Sequence, residues 1–390
     1  VKNMNNKRLF YTCSLVLATS GLTLSPLSAE ATELRYAVGF PAGVPLDAAK
    51  QYSSAVSELT DDQYSVRIFE LSLLNHSEMS SGIGDGMADI GYLLTAYSPS
   101  DYPFSNLAAD MSMKLALDDR AEGKEGYAYS GAMLEYILLN CPECLDEFKA
   151  NNQVYTGVVS TPTYGMFCND PVTTTSDIEG KRIRISGAPW ARWVRNFGAS
   201  PVSLPIGESY EALSQGVIDC TFFSAPELTN FNLIEVVKNI NMDLPGGLFA
   251  AGGATTLNKD RWNSFDADTK HAMLKAGSVM SAYVTYLYQE QANQDLSAAE
   301  ERGINIISAD NALIEDSKEF IRSDLEVVPS YYSNEYGIDL ERAEELAGVM
   351  SDLIDKWQVI VSDIDDPDQL AEIYWDEIYS KIDHTDYAAQ

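Results

Sequence analysis

Two hydrophobic periods alternate along this chain, and the points at which one gives way to the other mark out its elements. Residues 34–40, Leu-Arg-Tyr-Ala-Val-Gly-Phe, alternate as a half-buried strand does and end in a Gly-Phe-Pro turn. Ala48, Tyr52, Ala55, Val56 and Leu59 then recur at helical spacing, with Asp47 in the N-cap position. Residues 64–69 and 88–94 read as the next two strands. The glycines of 81–86 between them are followed by no lysine and fit no G-x-G-x-x-G register, so they predict a helix-ending turn and not a phosphate loop. Strand, helix and strand in this order predict a parallel sheet covered by helices.

Further on, 127–151 carries a helical pattern, and 154–159 and 164–168 an extended one. The stretch 177–223 repeats the strand and helix unit. In Lys181-Arg182-Ile183-Arg184-Ile185, apolar and basic side chains take opposite faces of a short strand. Trp190, Trp193, Val194 and Phe197 form the following helix, stopped by Gly198. A second strand over 201–204, a second helix over 205–216 and a third strand over 217–223 complete the repeat. Gly246-Gly247 and Gly252-Gly253 loosen the chain around Phe249. One long helix is predicted over 268–302, with Met273, Ala276, Met280, Val284 and Leu287 on one face and Gly303 at its end. Helical segments 314–331, 340–360 and 370–382 follow.

Arg184 carries the functional signal. A guanidinium on a strand between two crossover helices is expensive to bury unless an anion meets it, either a carboxylate of the same chain or a ligand. Three ordered blocks surround it: Ile178-Glu179-Gly180-Lys181-Arg182-Ile183-Arg184, then Gly198-Ala199-Ser200-Pro201-Val202, then Glu208-Ser209-Tyr210-Glu211-Ala212-Leu213-Ser214-Gln215-Gly216-Val217-Ile218-Asp219. They resemble the solute-binding subunits of tripartite ATP-independent periplasmic (TRAP) transporters, the DctP-like family. The resemblance implies an α/β, two-lobed periplasmic-binding-protein-like fold with a long helix spanning both lobes. It implies chain crossings near Thr161 and Phe249, with lobe I over 32–161 and 250–292 and lobe II over 162–249 and 293–390. It also implies that Arg184 forks onto a ligand carboxylate. On this reading the protein is a periplasmic monomer without a cofactor that closes on a small organic anion and delivers it to the membrane permease subunits of a TRAP system. Position at strand ends facing the cleft adds Phe40, Tyr97, Tyr164, Trp190, Phe223 and Ser224 as candidate pocket wall.

The remaining features adjust this picture. Lys2, Lys7 and Arg8 precede an apolar run over 9–24, and Leu27-Ser28-Ala29 and Ala29-Glu30-Ala31 are small-residue cleavage candidates, so 1–31 reads as a secretory signal peptide. No later stretch approaches the roughly 20 apolar residues of a membrane helix. Lys and Arg number 26 against 58 Asp and Glu, a net charge of −32, and three of the bases lie in the leader. That balance argues against nucleic acid as a partner and requires an anion site to act at close range against an opposing field. Cys141-Pro142-Glu143-Cys144 with Cys168 and Cys220 could in principle hold zinc or a redox centre. An oxidising address favours disulfides, in any of three connectivities. The three histidines, His76, His271 and His384, sit in no nucleophile context, and no H-E-x-x-H or G-x-S-x-G is present. A hydrolytic enzyme is therefore a remote alternative, and a periplasmic sensor or receptor for an organic acid a closer one.

Overall fold

The structure, a computed structural model, describes residues 31–384 and 387; all of the expected signal peptide except Ala31 lies outside them. The strand, helix, strand order of the first residues builds the parallel part of one sheet, from β1 (Thr32–Val38), β2 (Tyr64–Glu70) and β3 (Ile90–Leu94). β4 (Gln153–Val154) closes one edge, and β10 (Gly252–Asn258) inserts antiparallel between β3 and β4. A second sheet is made by β5 (Gly165–Cys168), β6 (Arg182–Ile185), β7 (Ser200–Ser203), β8 (Cys220–Phe223), β9 (Asn239–Asn241) and β11 (Asn305–Ile306). Its order is β11-β9-β5-β8-β6-β7, with β6 parallel to both β7 and β8.

The chain passes from the first sheet to the second between β4 and β5, and returns between β9 and β10. At those crossings the Thr161 N–H donates to the Phe249 carbonyl (2.9 Å), the Phe249 N–H to Thr161 Oγ1 (3.1 Å), and the Tyr164 N–H to the Gly247 carbonyl (2.8 Å). The two connections therefore run side by side and are tied to each other.

Helices α1 (Val44–Leu59), α2 (Met79–Gly84), α3 (Pro103–Asp110), α4 (Glu125–Glu135) and α5 (Pro142–Ala150) come from the first segment, and α6 (Thr175–Ile178), α7 (Ala188–Asn196), α8 (Ser209–Ser214) and α9 (Glu227–Asn230) from the second. After α10 (Lys259–Asn263) comes α11 (Ala267–Glu301), about 50 Å long at 1.5 Å per residue, which packs on α1 and β10 at one end and on β11 at the other. α12 (Asn311–Tyr336), α13 (Leu340–Ile360) and α14 (Pro367–Glu377) complete the chain. Each of these last four helices starts at an aspartate, Asp266, Asp310, Asp339 or Asp366, whose carboxylate accepts a first-turn backbone N–H.

Several expectations are corrected. α1 begins at Val44, ahead of Asp47, because Gly43 turns the chain at φ +83° and Pro45 suits a first turn. The helix expected over 127–151 is interrupted by a π turn at Tyr136–Asn140 and restarts at Pro142, which cannot continue a helical ladder. Gly252 and Gly253 are not a loosened crossing but the start of β10. A Cβ on Gly252 would meet the Leu93 carbonyl oxygen at 2.6 Å, so glycine here permits the close pairing with β3. Within residues 340–377, α13 packs on α4 and α12 and α14 packs on α11, where their apolar stripe (Leu346, Met350, Trp357, Tyr374) finds its cover.

Candidate functional site

Period-two alternation on β6 separates its two arginines. Arg182 turns outward and pairs with Asp219 at 2.7 Å. Arg184 turns inward and is 1% exposed. Its Nε donates to the Leu204 carbonyl (3.0 Å), Nη1 to the Phe222 carbonyl (3.2 Å) and Nη2 to the Tyr97 hydroxyl (3.4 Å). Among the described residues no carboxylate oxygen lies within 4.0 Å of it. The guanidinium is thus oriented by neutral oxygens, which fix its plane without neutralising its charge.

Arg184 lines a cavity of about 40 Å³ together with Phe40, Tyr92, Tyr97, Tyr164, Glu227 and Tyr288. A second cavity, of about 290 Å³, shares Tyr97, Ser186 and Phe249 as walls with the first and extends along Trp190 toward Tyr331 and Tyr332. Residues from both sheets meet here. Phe40 and Tyr97 follow β1 and β3, whereas Arg184 ends β6, and the Tyr97 hydroxyl also accepts the Ile206 N–H at 3.3 Å. Both parallel regions present the carboxyl ends of their strands to this gap, the usual place for ligands in open α/β sheets.

Of the sequence candidates, Phe40, Tyr97, Tyr164 and Arg184 share the smaller cavity. Trp190 lines the larger one, stacks on Tyr164 with ring centres 4.7 Å apart, and donates its indole N–H to the Gly246 carbonyl (3.1 Å). Phe223 and Ser224 line neither cavity. Phe223 is stacked face to face on Phe167 at 3.9 Å within the sheet, and Ser224 gives its carbonyl to the first turn of α9, so the two support the site from behind. Cys141 is bonded to Cys144 and Cys168 to Cys220, the latter as a registered pair of β5 and β8. These bonds occupy the four thiols read as a zinc or redox alternative.

Two residues of the smaller cavity, Glu227 and Tyr92, and one neighbour of its walls, His76, carry chemistry that no local sequence pattern marks. Glu227, at the start of α9, is 5% exposed. Burial pushes its carboxyl up to about 7, while Asn230, Tyr288 and Arg184 favour its charged form. Tyr92 places a buried hydroxyl beside Tyr288 on the wall of the same cavity. His76 packs edge-on against Phe40 (4.7 Å) beside Tyr97. Burial, with the Arg184 charge second, holds its imidazole down at about 4, so it is neutral at neutral pH and adds no cation to the site. The one available signal for Glu227 is its place directly after a strand end, in Ser224-Ala225-Pro226-Glu227.

A buried, unneutralised arginine between two α/β sheets joined by paired crossings defines a two-lobed binding protein. The chain belongs to family 7 of the bacterial extracellular solute-binding proteins, the DctP family, whose model matches residues 43–329. It is 28% identical over 139 residues to the C4-dicarboxylate-binding periplasmic protein DctP of Rhodobacter capsulatus, a stretch covering 35% of this chain and 41% of that protein. A solute-binding protein of Sulfitobacter sp. (strain NAS-14.1) is 27% identical over 33% of this chain and 38% of its own. The chain thus aligns with less than half the length of these curated relatives. Among solved structures, a marine metagenome TRAP solute-binding protein specific for pyroglutamate superposes with a TM-score of 0.69 at 17% identity, over 84% of this chain and all of that one. One from Bordetella bronchiseptica with bound mandelate gives 0.68 at 21% identity, over 83% and 99%. These likenesses establish the two-lobed fold. Among the described residues no helix is long and apolar enough to cross a membrane.

Proposed function

We propose that this protein is the periplasmic solute-binding component of a TRAP-type, ion-gradient-driven transporter, and that it captures a small organic carboxylate on Arg184 between lobes centred on the two sheets. The observation that carries the reading is the buried Arg184 guanidinium, held by carbonyl and hydroxyl oxygens and by no carboxylate. Its fork offers a bidentate contact to a planar anion. Such a contact contributes roughly 1.5–3 kcal/mol net, whereas micromolar affinity requires about 8, so Phe40, Tyr97, Tyr164 and Trp190 supply most of the rest by excluding water. The printed ligands of the relatives, a C4-dicarboxylate, pyroglutamate and mandelate, are all carboxylates and support the class. We assign the lobe crossings to the neighbourhoods of Thr161 and Phe249. The protein acts as a monomer, without a chemical step, and hands its ligand to the permease subunits.

Titration calorimetry with a panel of small organic acids tests this. Arg184→Ala and Arg184→Lys should each lower the affinity of any acid that binds by at least tenfold, with the fold retained, since lysine cannot reproduce the planar fork. Unchanged affinity in both variants would refute the assignment of Arg184.

A further inference from the structure

Glu227 lines the same cavity as Arg184, close enough to feel its charge, yet the two make no ion pair. A carboxyl in this space, not paired with the guanidinium, has oxygens left to meet a ligand group. Glu227 is moreover fixed as an acceptor. Asn230 Nδ2 donates to its Oε2 at 3.2 Å, and the Tyr288 hydroxyl bonds to the same carboxylate. Asn230 is itself pinned: it is buried, and its amide oxygen sits so close over Gly43 that a Cβ there would meet it at 1.8 Å. With its donors supplied by the protein, the carboxylate has lone pairs left for the cavity. The Tyr92 hydroxyl, beside Tyr288 on the wall of the same cavity, can donate or accept.

We propose that Glu227 is a specificity-determining residue that accepts a hydrogen bond from an N–H group of the ligand, so that the solute is a small nitrogen-bearing acid bridging Arg184 through its carboxylate and Glu227 through its nitrogen. This rests on the carboxylate-binding reading above and narrows it. A plain C4-dicarboxylate is disfavoured, because docking one carboxylate on Arg184 turns the other toward a second carboxyl, and two acids that share one low-dielectric site cannot both ionise. A nitrogen donor removes that conflict, and a site built to accept a hydrogen bond rejects an isostere that cannot donate one.

The test uses matched ring acids that differ in one atom. Pyroglutamate and proline carry a ring N–H; 5-oxotetrahydrofuran-2-carboxylate and tetrahydrofuran-2-carboxylate carry oxygen in its place. By calorimetry the wild-type protein should bind at least one nitrogen acid ten or more times as tightly as its oxygen counterpart, and more tightly than succinate. Glu227→Met, which is close in size and carries no oxygen acceptor, should reduce that ratio to about threefold or less while Arg184 still binds the carboxylate. Equal affinity within each wild-type pair, succinate binding as tightly as the nitrogen acids, no binding of either nitrogen acid, or an unchanged ratio in Glu227→Met overturns the proposal. If in any of those cases some acid still binds the wild type and not Arg184→Ala, the carboxylate reading survives and only the role of Glu227 falls. If no acid binds at all, both fall.

Discussion

Two buried arginines a few residues apart serve opposite ends. Arg192, on α7, is answered inside the chain: Nε and Nη2 meet the Asp324 carboxylate at 2.7 and 2.9 Å, Nη1 approaches Asp110 at 3.3 Å, and the guanidinium lies over the Tyr331 ring. Arg184 has only neutral oxygens about it. Removing Arg192 strands two carboxylates in the interior, for which a loss of about 3 kcal/mol is the expected size. Removing Arg184 strands no anion in contact and relieves a desolvated charge. Urea unfolding of the ligand-free protein should therefore place Arg192→Met about 3 kcal/mol below the wild type and leave Arg184→Met level with it or above. Equal losses would mark Arg184 as a structural cation. The difference between the two was only half legible in the sequence. The alternation of β6 told which face Arg184 takes, but its anion, or lack of one, depends on which of 58 acidic residues the fold brings near. Glu227 escaped for the same reason: nothing local distinguishes it, and its partner Tyr288 arrives from α11.

At the level of elements, strong periodicity was readable and pairing was not. The long helix was placed to within a residue at each end, because Asp266 and Gly303 bracket one unbroken apolar stripe. β10 was missed, since Gly-Gly-Ala-Thr-Thr-Leu-Asn has little apolar alternation and owes its strand form to neighbours on both sides. Disulfide pairing likewise had to wait for the sheet register, which sets Cys168 opposite Cys220. The two bonds differ in what they restrain. Cys168 and Cys220 are 52 residues apart, a loop whose closure in the unfolded chain is worth about 4 kcal/mol on the chain-entropy estimate, against about 1.5 for the three-residue separation of Cys141 and Cys144. Chemical denaturation of the Cys168→Ala/Cys220→Ala double variant should accordingly show a stability loss clearly larger than that of Cys141→Ala/Cys144→Ala. The reverse order would mean that the first bond restrains an unfolded chain already compact around the second sheet.

For the molecule as a whole, the space at Arg184 sets a condition on function. About 40 Å³ holds about one water molecule, so on the carboxylate-binding reading proposed above an organic acid would enter only with the lobes parted and Tyr97 away from Arg184 and the Ile206 N–H. Three buried acids, of which only Glu227 belongs to this cavity, also shape stability. Burial raises Asp110 to about 7, against the pull of Arg192, and raises Glu147 to about 8 and Glu227 to about 7. In the unfolded chain each would titrate near 4. Between about pH 4 and 8 the native state thus holds protons that the unfolded state has released, and stability falls as pH rises through that window. Self-repulsion of a chain with net charge −32 acts in the same sense. His76 acts oppositely: held down at about 4, it takes up its proton less readily than in the unfolded chain and subtracts stability below about pH 6.5. Asp177, held low by the Thr173 N–H, and Asp219, held low by Arg182, contribute stability that is lost only as pH falls below about 4. The melting temperature of the ligand-free protein should therefore rise as pH is lowered from 8.5 to 6.5, keep rising toward about 5, since His76 offsets only one of the three carboxyls, and fall below 4. In Glu227→Gln the rise from 8.5 to 6.5 should be shallower, since one of the three groups that produce it is gone. A melting temperature that drops steadily over 8.5 to 6.5 in scanning calorimetry would mean that these three carboxyls are ionised in the closed fold.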